Sequence, residues 1–340
     1  MEARLLFEFN KYFSLFNNRI YLVEHPRLLL KGTSWKNPFR KKYKPTLEKH
    51  FQSFKQGDRR INQLTKEEGQ TLLHLAVIEN RSDLIETLLK MGADLKAKNR
   101  WGMTPTHLAT LLNQTSLSHK HLENKPSSIL IYRNADKKIH TMPLEDFEKR
   151  LKIQYISQLE FENIDDISWV VNQCKERLNR KYSIHKDLIH CNLKNKWLLA
   201  VHEKSLKQEQ KEQFYIRWIS SYLGYGVFAA KELPDLTYIG EYTGVVKKKW
   251  FQKNRYNDYV FRYTAGPKET PFVIDAQDKG NFARFINHSD RPNLSCQWII
   301  IRGITRIILF ANRFIRKGEQ LTYNYGDYYW RSRTPPERLT

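Results

Sequence analysis

VIDAQDKGNFARFINHS (273–289), RPN (291–293) and GEQLTYNYG (318–326) constrain the architecture of this chain more than any other part of its sequence. The first embeds a polar run, Asn287-His288-Ser289, in apolar sequence, and such a run, once buried, needs hydrogen-bond partners from the chain or a ligand. Around these stretches, after residue 213, come short β-rich segments: FYIRWIS, GVFAA, TYIGEYTGVV, DYVFRY, FVIDA, WIIIRG and TRIILFANR. Many are bounded by Gly, Pro or Asn, which predicts a mostly β domain.

Three further blocks precede the decisive ones: GYGVFAAKEL (224–233), IGEYTGVV (239–246) and YVFRY (259–263). Gly224-Tyr225-Gly226 has no third glycine and no following helix, so it fails the dinucleotide fingerprint and disfavours a Rossmann-type methyltransferase. In order and spacing, the six blocks resemble the SET domain of protein lysine methyltransferases. The resemblance implies a β-clip with a pseudoknot, S-adenosyl-L-methionine as cofactor, and methyl transfer to a lysine-bearing protein, a histone or another basic protein. It implies that Gly224, Tyr225 and Gly226 let the backbone approach the methionine part of the cofactor. Arg284, Phe285, Asn287 and His288 match the segment that binds adenine and the methionyl amine. Tyr325 matches the catalytic tyrosine, and Tyr323 the position that governs how many methyl groups fit, where a tyrosine implies mainly monomethylation. Tyr242 and Tyr259 match positions lining the lysine channel or cofactor pocket, with plain β-core packing as the competing reading. His288 is read equally as a brace of the fold, and Asn281 and Glu319 as structural.

The chemistry explains the tyrosines. A sulfonium methyl is attacked only by a neutral amine, and freeing a lysine of its proton near pH 7.4 costs about 4 kcal/mol. A narrow aromatic channel strips water from the ammonium, aligns the nitrogen and excludes competing water.

The sequence departs from many SET enzymes where a cysteine would follow Asn-His-Ser: Asp290 stands there, and no cysteine follows Cys296. With three cysteines and no CxxC pair, no structural zinc is expected. The tail DYYWRSRTPPERLT (327–340) is expected to close the site by packing, with Tyr328, Tyr329 and Trp330 over the cofactor.

Upstream, Gly69, Thr71, His74 and Ala76 recur as Gly102, Thr104, His107 and Ala109. This period resembles the ankyrin repeat, a turn followed by two antiparallel helices, with Leu72, Leu75 and Ala76 on the first helix and Leu84, Leu88 and Leu89 on the second. The resemblance makes His74 and His107 turn-bonding residues rather than metal ligands, and makes a bound protein partner the expected role. PTLEKHFQSFKQGDRRI (45–61) reads as part of a degenerate first repeat, and Pro126 ends the array. The middle third offers a hairpin, SILIYR then KKIHTM, and helices marked by Leu144, Phe147 and Leu151 and by Ile167, Val170 and Val171. A polar run ending near residue 210 is read as a boundary.

The expected architecture is α+β and multidomain: an N-terminal segment (1–36), ankyrin repeats with degenerate caps (37–118), a connecting region (119–210), the catalytic domain (211–334) and a tail (335–340). The net charge of +22 invites nucleic acid, but residues 211–340 carry 21 Lys and Arg against 12 Asp and Glu, so the charge is spread along the chain. No stretch is apolar enough for a membrane span, and the few cysteines fit a reducing cytoplasmic or nuclear compartment, or a host cell if the chain is a secreted bacterial effector. The alternatives are an interaction scaffold with an inactive SET fold, and a nucleic-acid binder making weak contacts.

Overall fold

The computed structural model describes residues 59–65, 69–114, 117, 125–178, 195–201, 212–249, 257–265 and 268–330. The N-terminal segment, most of the degenerate first repeat and the 335–340 tail lie outside the described residues.

The repeat begins where Thr71 and Thr104 stop their extended backbones and cap helices. Each threonine hydroxyl accepts from the backbone N–H three residues on, and the histidine at that third position accepts in return from the threonine N–H. Helix α1 (Leu72–Ile78) buries Leu73, Leu75 and Ala76, α2 (Ser82–Lys90) buries Leu84, Ile85 and Leu88, and α3 (Pro105–Leu111) repeats α1. Nε2 of His74 then reaches the Met103 carbonyl at 3.0 Å, stapling one turn to the next.

The middle third forms the hairpin β1 (Ser128–Arg133) and β2 (Lys138–Pro143), helix α4 (Leu144–Leu151), strands β3 (Gln154–Tyr155) and β4 (Glu160–Phe161), and helix α5 (Ile164–Leu178). The C-terminal part adds β5 (Phe214–Ser220), β6 (Gly224–Ala229), β7 (Tyr238–Tyr242), β8 (Val245–Lys248), β9 (Val260–Ala265), β10 (Lys268–Asp275) and β11 (Lys279–Gly280). It ends in β12 (Asn287–His288), β13 (Leu294–Ile301), β14 (Ile304–Ala311), β15 (Thr322–Tyr323) and α6 (Asp327–Trp330).

These strands make small sheets ordered β2-β1-β5-β6, β4-β8-β10-β9 and β13-β14-β7, with two-stranded pairs β11-β3 and β12-β15. The mostly β character expected after residue 213 is present, and with the repeat helices the fold is α+β. The sheets also run across the boundary placed near residue 210. Ile131 pairs with Ile216, Gln154 with Lys279, and Glu160 with Val245. The middle third therefore supplies strands to the same sheets as the C-terminal part, because each short C-terminal edge leaves backbone donors and acceptors that another strand must satisfy. Fully buried Ile216, Val227, Ile274, Ile299, Leu309 and Leu321 fill the interior between the sheets.

Candidate active site

The decisive segments meet through a pairing of distant sequence. β12 lies parallel to β15, with Asn287 opposite Thr322 and His288 opposite Tyr323. The Ser289 N–H donates to the Tyr323 carbonyl at 3.2 Å, and the Tyr325 N–H donates to Nδ1 of His288 at 3.1 Å. Because Nδ1 accepts, the ring proton sits on Nε2, 3.3 Å from an Asp290 carboxylate oxygen. Asn293, quoted in RPN but given no role from sequence, holds the returning strand: its amide donates to the Gln320 carbonyl at 2.8 Å and accepts from the Thr322 N–H at 2.9 Å. Glu319 accepts from Asn293 and Arg313, and Asn281 caps the 3₁₀ turn Phe282–Phe285 while donating to the Glu241 carbonyl at 2.7 Å.

Beside this crossing opens a cleft of about 660 Å³. Gly224 and Tyr225 of β6 form one wall, Arg284 and Phe285 of the 3₁₀ turn another, and Asn287 and His288 of β12 continue it. Asp258 and Tyr259 stand at the start of β9, and Tyr325, Tyr329 and Trp330 close the C-terminal side. Asn287 ties two walls together by donating to the Tyr225 carbonyl at 3.2 Å. Of the residues singled out from sequence, Gly224, Tyr225, Tyr259, Arg284, Phe285, Asn287, His288 and Tyr325 all line this space.

Gly226 does not. A Cβ there would stand 2.6 Å from the Ile219 side-chain tip and 2.9 Å from the Gln320 amide, so Gly226 packs against β5 and the 318–322 turn, and a larger residue would make those two side chains shift. Gly224 is the one that faces the opening, with φ +68° and free space where a side chain would project.

Tyr323 and Tyr242 sit behind Tyr325, both almost fully buried. The rings of Tyr323 and Tyr325 are 4.8 Å apart, and that of Tyr329 lies edge-on to Tyr325 at 4.6 Å. Tyr325 donates its hydroxyl proton to the Ile286 carbonyl at 2.9 Å, and Tyr242 donates to the Tyr259 carbonyl at 2.9 Å. Burial, followed by neighbouring tyrosines, raises the Tyr323 and Tyr325 hydroxyls well above the usual phenol range; burial also raises Tyr242, against the opposing pull of Arg284. The three phenols thus stay protonated at neutral pH, and the two bonded ones present lone pairs rather than protons to a guest.

Arg284 supplies the positive charge of the cleft. Its guanidinium lies 3.8 Å from the Tyr259 ring centre and 5.1 Å from that of Phe285, while its buried Nε–H has no hydrogen-bond partner among the described residues. Burial lowers its pKa from the usual arginine value.

Sequence reasoning missed Leu151, Trp218, Tyr222 and Asp258, which also line the cleft. The spacing of Phe147 and Leu151 marked a helix, but nothing in it pointed to the site. Among the described residues, no cluster of three or more His, Cys, Asp or Glu is placed to hold a metal ion.

Residues 224–326 match the family model described as SET domain, and residues 68–100 the one described as ankyrin repeat. Residues 224–326 thus carry SET-domain sequence, and residues 68–100 ankyrin-repeat sequence. Histone-lysine N-methyltransferase ASHH3 of Arabidopsis thaliana is 39% identical over 144 residues, covering 40% of this chain and 35% of that protein. Histone-lysine N-methyltransferase trr of Drosophila melanogaster is 36% identical over 131 residues, covering 36% of this chain and 5% of its own. A crystal structure of KRYPTONITE in complex with mCHH DNA, H3(1-15) peptide and SAH matches 36% of this chain and 25% of its own at 31% identity, with a TM-score of 0.31. The chain spans about a third or less of the length of these curated relatives.

Proposed function

We propose that this chain is an S-adenosylmethionine-dependent protein-lysine N-methyltransferase acting on a histone or another basic protein, with the ankyrin sequence contacting a protein partner. Tyr325 lines a cleft whose other walls include Gly224, Arg284 and Asn287, with the buried Tyr323 and Tyr242 packed behind it, and this arrangement carries the proposal. Relatives with histone-lysine methyltransferase names support the substrate class.

The cleft fits the cofactor on its own chemistry. The Nε–H of Arg284, unpartnered among the described residues, suits the carboxylate of an amino acid, and the half-buried backbone at Gly224, with open space beside it, admits close approach of a chain. The bound cofactor supplies an electrophilic methyl on a sulfonium. Tyr325, its own proton committed to Ile286, accepts a hydrogen bond from the substrate amine and so turns the nitrogen lone pair away from itself. Tyr323, buried behind it, limits the space for methyl groups on that nitrogen. The raised phenol pKa values make a tyrosinate base unavailable near neutrality, so the lysine must lose its proton to water before it is sealed in. The test is transfer of labelled methyl from the cofactor to histones, nucleosomes or lysate proteins, with Tyr325→Phe alongside. Absence of label with the parent in every substrate mixture overturns the reading.

A further inference from the structure

Resting on the methyltransferase reading above, we propose that Leu151 of α4 is a cofactor-binding residue supplied from outside the SET match, giving bound S-adenosylmethionine a nonpolar wall. Phe147 and Leu151 stand four residues apart and therefore share one face of α4. Phe147 is fully buried and meets the Phe285 ring edge-on at 6.1 Å. One turn later Leu151 emerges, half-buried, into the cleft that Phe285 also lines.

The helix is fastened in that position by the strand after it. Glu148 accepts from the Tyr155 N–H at 2.7 Å, which ties α4 to β3. β3 in turn lies parallel to β11, where the Gln154 N–H donates to the Asp278 carbonyl at 2.8 Å and the Ile156 N–H to the Gly280 carbonyl at 3.0 Å. β11 leads directly into the 3₁₀ turn that carries Arg284 and Phe285. An aliphatic side chain held at the edge of a cleft walled mainly by polar and aromatic groups, with Leu223 the other aliphatic one, gains by being covered, and a ligand with a purine face and a thioether-like chain offers the cover.

The experiment is calorimetric titration of the full chain with S-adenosylhomocysteine. Leu151→Ala is expected to bind roughly tenfold more weakly than the parent, from the loss of nonpolar contact. Leu151→Met, which keeps the volume, is expected to bind like the parent. In turnover, L151A should raise the KM for the cofactor while leaving kcat and the KM for the protein substrate unchanged, a split that a general loosening of the fold does not give. Leu151→Gln keeps the length and adds polarity in the cleft, so it serves if the alanine variant melts early; it too should bind more weakly. Parental affinity in both L151A and L151Q overturns the inference alone. A parent chain that gives no binding heat overturns the methyltransferase reading and the inference with it.

Discussion

Tyr325 spends its only proton on the Ile286 carbonyl, and that single bond fixes what it offers a substrate. Replacing it by Phe removes the acceptor without removing the ring that packs on Tyr323 and Tyr329. Tyr325→Phe is expected to lower kcat by roughly 10²-fold, the scale of one positioned polar group at a reacting centre, while calorimetry finds S-adenosylhomocysteine bound as in the parent. Loss of both together would instead mark Tyr325 as a packing residue. Tyr323→Phe frees the volume of one hydroxyl, so mass spectrometry of the product should shift from monomethyl toward dimethyl lysine. With the phenols held above their usual range by burial, loss of the proton from the substrate amine governs the rate, and log kcat/KM should climb about one unit per pH unit through neutrality until that amine is neutral. A falling limb below pH 9 would mean that a tyrosine ionises after all. Single residues were readable where the side chain itself makes the chemistry, as with Tyr325 and Asn287. Gly226 and Asn293 were not, because their roles depend on which distant side chain or carbonyl lies against them.

The helices of the repeat show how one residue pattern carries both geometry and pH response. His74 is fully buried between the Thr71 cap and the Met103 carbonyl, and burial lowers its pKa to about 4 from a usual 6.5. A histidine depressed in this way binds its proton more readily when unfolded, so its share of stability is complete above about pH 6.5 and is lost as pH falls toward 4. The share is about 3 kcal/mol from the size of that depression. Urea unfolding at pH 7.5 and pH 4.5 should show the drop, and His74→Gln should reduce it, leaving the part due to His107, whose pKa burial also lowers to about 4; an unchanged pH slope in the variant removes His74 as a source. These helices were legible because caps, period and apolar spacing are local. Strands β3, β4, β11, β12 and β15 have two residues each and were not, since nothing local distinguishes so short a strand from a loop and only the tertiary partner makes it one. Where two long strands pair, a buried charge adds to the cost of disruption. Arg306 of β14 donates through Nε at 2.6 Å to the buried Glu241 of β7. Glu241→Ala leaves that guanidinium uncompensated and is expected to cost about 3 to 5 kcal/mol in chemical denaturation.

On the scale of the molecule, the repeat helices and the SET sheets share one body of structure rather than a hinge. Met103, His107 and Leu111 face Arg302, Ile304 and Arg306 across a cavity of about 40 Å³. Asn113, at the end of α3, places its amide between Glu160 of β4 and Lys279 of β11, with contacts of 3.3 and 2.8 Å when nitrogen faces the carboxylate and oxygen the ammonium. The sequence announced two modules because each has its own motif, whereas the upstream strands that join the SET sheets are β1, legible only as part of a local hairpin, and the two-residue β3 and β4, which carry no motif at all. A fragment of residues 211–340 keeps every SET block yet loses the partners of β5, β8 and β11, as well as the Phe147 ring that supports Phe285. Those open edges and the uncovered apolar surface should leave it without a cooperative thermal transition by circular dichroism and without measurable S-adenosylhomocysteine binding. The full chain is expected to show both. A fragment that melts sharply and binds with the full chain's affinity would mean that the upstream strands only decorate a self-sufficient domain.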